Sequence, residues 1–108
     1  MTKKEIAEII ESKGAEYGFK MQAITMGWMS EQTNESSIRI EINQETDEEK
    51  TNWEERRVWV NIKAHGCICK MGEQNNPAEL LKAAEEIARG AKFVEEIQQM
   101  NLSYIETF

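Results

Sequence analysis

Apolar residues recur along this chain with two different periods, and the switches between them set out an order of elements. The opening stretch TKKEIAEIIESKGAEYGF places Thr2 three residues before Glu5, the spacing of a capping box. Ile6, Ile9 and Ile10, joined by Ala7, then form a stripe at helical spacing, which Gly14 or Gly18 can end. FKMQAITMGWM changes period: Phe19, Met21 and Ala23 alternate with polar residues before Ile24, Met26 and Trp28, so it reads as a strand with Gly27 as a bulge point. SEQTNESS is a polar turn. SIRIEIN has the cleanest alternation, with Ile38, Ile40 and Ile42 on one side and Arg39 and Glu41 on the other. After the solvated connection QETDEEKTNWEE, the run RRVWVNIKAHGCICK sets Val58, Val60, Ile62 and Ala64 against Trp59, Asn61, Lys63 and His65.

The helical period returns in NNPAELLKAAEEIARGAKFVEEIQQM. Asn76 can cap it, Pro77 suits the first turn and Glu79 completes a capping box. Leu80, Ala84, Ile87, Ala91 and Val94, flanked by Leu81 and Ala88, form a broad stripe expected to face the core. Gly90 costs about 1 kcal/mol against alanine inside a helix, which points to close packing on the sheet. The tail NLSYIETF reads as a short edge strand or a further helical turn. The pattern predicts a single α+β domain over residues 1–108, in the order α-β-β-β-α. It is a two-layer build, a three-stranded antiparallel meander with both helices on one face. Its expected core includes Ile9, Phe19, Ile40, Val60, Ile62, Leu80, Ala84, Ile87 and Val94.

Composition narrows the function by exclusion. No apolar run approaches the roughly 20 residues of a membrane span, and MTKKEIAEII lacks the apolar core of a secretion signal. A cytoplasmic protein is expected. The net charge of −7 is concentrated: Glu41, Glu45, Asp47, Glu48, Glu49, Glu54 and Glu55 face Lys50 alone within fifteen residues. Nucleic-acid binding needs a basic footprint, and the one arginine pair, Arg56–Arg57, directly follows Glu54–Glu55. The element order is similar to that of double-stranded-RNA-binding domains, whose second helix opens on a lysine cluster. Here that turn carries Glu79 and the single Lys82, so direct nucleic-acid contact is not expected.

The segment AHGCICKMG gathers the one histidine and both cysteines. Strand alternation puts His65, Cys67 and Cys69 on one side, roughly 6.5–7 Å apart from one to the next. A closed zinc site needs a fourth ligand and usually two to four residues between cysteines. These three residues are therefore a weak candidate metal set. The stronger expectation is a bulge at Gly66 with reduced cysteines packed as small apolar groups, since alternate strand positions suit a disulfide poorly. No cofactor is expected. Nor is an enzyme: the chain has no glycine-rich phosphate loop, nucleophile elbow or helical histidine pair. ETDEEKTN lacks the glycine of a calcium loop.

Recognition of another protein remains. The acidic segment also contains Trp53, and Trp59 stands on the outward side of the third strand, both of a residue type enriched at binding hot spots. The expected site is therefore Glu41, Glu45, Asp47, Glu48, Glu49, Trp53, Glu54, Glu55 and Trp59, meeting a basic surface of a partner protein. In size, charge and simple α+β build the chain resembles small acidic proteins of mobile elements, including some anti-CRISPR proteins. That resemblance implies an inhibitor occupying a nucleic-acid-binding surface. A second expectation is homodimerisation through the open sheet face, which carries Trp59 and, on the first strand, Trp28.

Overall fold

Thr2 adopts an extended conformation, and its hydroxyl accepts the Glu5 N–H at 3.1 Å, so the capping box starts a helix as its spacing predicts. In this computed structural model, which describes residues 1–21, 30–31, 38–46, 48–51, 53–64 and 77–105, that helix is α1 (Lys3–Glu16). Gly18, in the left-handed region at φ 81°, turns the chain out of it. The strands are β1 (Ser30–Glu31), β2 (Ile38–Gln44), β3 (Glu55–Ala64) and β4 (Ser103–Ile105), and the second long helix is α2 (Pro77–Met100).

The sheet order is β1-β2-β3-β4, and every neighbouring pair is antiparallel. The first three strands form the expected meander. Cross-strand pairs Ile40–Ile62 and Ile42–Val60 place the even-numbered residues of β2 and β3 on one side. That side meets both helices. Ile6 and Ile10 of α1, Phe19 and Met21 after it, and Phe93, Val94 and Ile97 of α2 close over it as one core, with Leu102 and Tyr104 from the C-terminal end. The opposite side bears Arg39, Glu41, Asn43, Trp59, Asn61 and Lys63, in the alternation that a one-sided antiparallel sheet requires.

The tail is an edge strand. Asn101, at φ 51°, takes the left-handed position that ends α2. The Val58 N–H then donates to the Leu102 carbonyl at 2.9 Å, and β4 runs back along β3.

Two expectations need correction. Ser30 and Glu31, read as part of a polar turn, pair with Glu41 and Ile40 as β1, because ladder bonds come from the backbone whatever the side chains. Most of the run read as the first strand lies outside the described residues, Trp28 included. The second and larger correction concerns α2. Leu80, Ala84 and Ile87, expected in the core, are exposed, and the buried line is Ala83, Gly90, Phe93, Val94 and Ile97. Apolar residues cover so much of this helix's circumference that periodicity alone does not say which edge meets the sheet. Gly90 and the bulk of Phe93 and Ile97 decide it. A Cβ at Gly90 would lie 2.5 Å from Ile38 Cδ1 and 2.8 Å from Ile62 Cδ1, so the close packing expected at this glycine is present. Ile9 and Ile62 pack at the core's margin.

Candidate functional site: the acidic loop between β2 and β3

The loop between Gln44 and Glu55 is built by its own carboxylates. Glu45 closes the hairpin: its N–H donates to the Arg57 carbonyl at 3.1 Å, and its Oε2 accepts the Arg57 N–H at 3.0 Å. Two Thr-x-x-Glu turns follow. In the first, the Thr46 N–H donates to Glu49 Oε2 at 3.2 Å while the Glu49 and Lys50 N–H groups donate to the Thr46 carbonyl. In the second, the Thr51 hydroxyl donates to Glu54 Oε1 and the Glu54 N–H donates to the Thr51 carbonyl. The hydroxyl bond is the main reason the Glu54 carboxyl sits below the usual glutamate range, and the charges of Lys50 and Arg56 add to it. Glu55 accepts the Ser103 hydroxyl, which ties the end of the loop to β4.

Glu41 stands apart from this construction. It lies on the outer sheet face, between Arg39 Nε at 3.3 Å and Lys63 Nζ at 3.0 Å. The structure therefore gathers Glu45, Glu48, Glu49, Trp53, Glu54 and Glu55 in one loop and leaves Glu41 and Trp59 on the sheet. Asp47 lies outside the described residues. Glu48 is exposed and makes no hydrogen bond or ion pair among the described residues. Trp59 is half-buried and helps line an open cavity of about 380 Å³ with Arg57, Val58, Gln98 and Asn101.

Trp53 is the exceptional residue. Its backbone sits at φ 74°, a region that bulky side chains rarely enter, and its side chain is 67% exposed. No core packing explains that placement. Beneath the loop, Arg56 is 1% exposed, with Nη2 3.5 Å from the Lys50 carbonyl oxygen. It faces inward in phase with Val58 and Val60, opposite Tyr104 of β4. The sequence reading took Arg56 as half of a basic pair and missed this. The strand alternation carried the signal, since Arg56 shares the parity of the buried valines.

No protein-family model matches the chain, and neither does a curated protein or a solved structure. What the loop can do must therefore be argued from its own chemistry. Among the described residues no group of three or more His, Cys, Asp or Glu side chains is arranged to hold a metal ion, and no helix is long and apolar enough to cross a membrane. His65, Cys67 and Cys69 lie outside the described residues. The loop is a dense anionic surface, braced from within, that presents one indole ring to solvent.

Proposed function

We propose that this protein is a non-enzymatic binding module that docks the β2–β3 loop, with Trp53 at its centre, onto a basic surface of a partner protein. The observation that carries the reading is Trp53, exposed and in a left-handed backbone conformation inside the densest run of carboxylates. Such a conformation costs on the order of 1–3 kcal/mol, and strain of this kind clusters at binding sites. The concentration of carboxylates in the loop steers a cationic surface toward the ring. Where that surface normally binds nucleic acid, occupying it inhibits the partner. On this reading the protein meets its partner in the cytoplasm.

The test is capture of proteins from lysate at low and high salt, with the parent chain, Trp53→Ala and Glu48→Gln side by side. Glu48 is the suitable acid because it braces nothing among the described residues. A specific partner should be retained at low salt and weakened as salt rises. Trp53→Ala should weaken it by about thirtyfold, the effect of losing a hot-spot residue, and Glu48→Gln by a few-fold. Identical partner sets from all three proteins would end the acidic-loop reading.

A further inference from the structure

We draw no further inference here: the strongest candidate, the open cavity where the end of α2 meets β3, joins the charge of Arg57 to the indole of Trp59 and the amides of Gln98 and Asn101 without favouring one class of ligand, and nothing in the structure shows what fills it.

Discussion

The two sides of α2 carry similar residues and meet different fates. Toward the sheet run Ala83, Gly90, Phe93, Val94 and Ile97, all buried; on the other side run Leu80, Leu81, Ala84, Ile87, Ala88 and Ala91, all exposed. Hydrophobicity does not separate them, since the exposed set holds two leucines and an isoleucine. Shape does. The buried side has a notch at Gly90 that admits Ile38 and Ile62, followed by the large Phe93 that reaches Tyr17 and Phe19, with ring centroids 6.0 and 6.1 Å away. A sheet studded with isoleucines selects the helix face with a hole in it. The smoother stripe stays at the surface.

Truncating the same kind of side chain on each side should break this symmetry most clearly. Phe93→Ala removes the ring that joins α1, α2 and the segment after α1 at 0% exposure, and should cost about 3–5 kcal/mol. Leu81→Ala, on the outer stripe, should stay within about 0.5 kcal/mol in the monomer. Chemical denaturation at low protein concentration measures both. A large loss from Leu81→Ala would mean the outer stripe is covered within the monomer.

The same contrast explains what could be read from the sequence. Elements whose two sides differ in polarity were legible: β2 and β3 alternate cleanly, and the inward Ile38, Ile40, Ile42, Val58 and Val60 are buried as their period requires. The starts of α1 and α2 followed from Thr2 and Pro77. Where both sides are apolar the period is silent about direction, and α2 was turned the wrong way. The loop was legible as a concentration of charge, because charge is counted from residues alone. Its bracing was not, since the Thr46–Glu49 and Thr51–Glu54 bonds depend on backbone turns. Nor was the left-handed conformation of Trp53, a backbone state for which a tryptophan gives no sign.

Gly90→Ala sharpens the comparison on the buried side. On the exposed side of a helix such a change would stabilise by about 1 kcal/mol through propensity. Here the new Cβ falls within 2.5 Å of Ile38 Cδ1 and 2.8 Å of Ile62 Cδ1 in a filled core, and overpacking of that kind costs about 1–3 kcal/mol. The expected net effect is a loss of about 1 kcal/mol in thermal or chemical unfolding. A gain in stability would show that the isoleucines yield freely and that the notch does not orient the helix.

The smallest effect belongs to the margin between the two sides, where α2 meets α1. Glu96 accepts the Tyr17 hydroxyl at 2.6 Å and Lys13 Nζ at 3.0 Å, so one carboxylate clasps both. The Tyr17 bond first, and Lys13 second, hold Glu96 below the usual glutamate range. The bond to Glu96 in turn raises both Tyr17 and Lys13 above their ordinary values. A depressed carboxyl contributes stability above its unfolded-state pKa, and that contribution is lost as pH falls through the depressed folded value. Raised tyrosine and lysine contribute below their unfolded-state pKa values, and lose this as pH rises through the raised ones. The clasp is therefore complete across neutral pH and opens at both ends. Because the groups are solvent-accessible, its contribution is small and screened by salt. Glu96→Gln should lower stability slightly at neutral pH and flatten the fall at both acid and alkaline extremes, as measured by unfolding across pH at low ionic strength. If the variant loses stability with pH just as steeply as the parent, the helices are held together by Phe93 and its neighbours alone, and the clasp only decorates the joint.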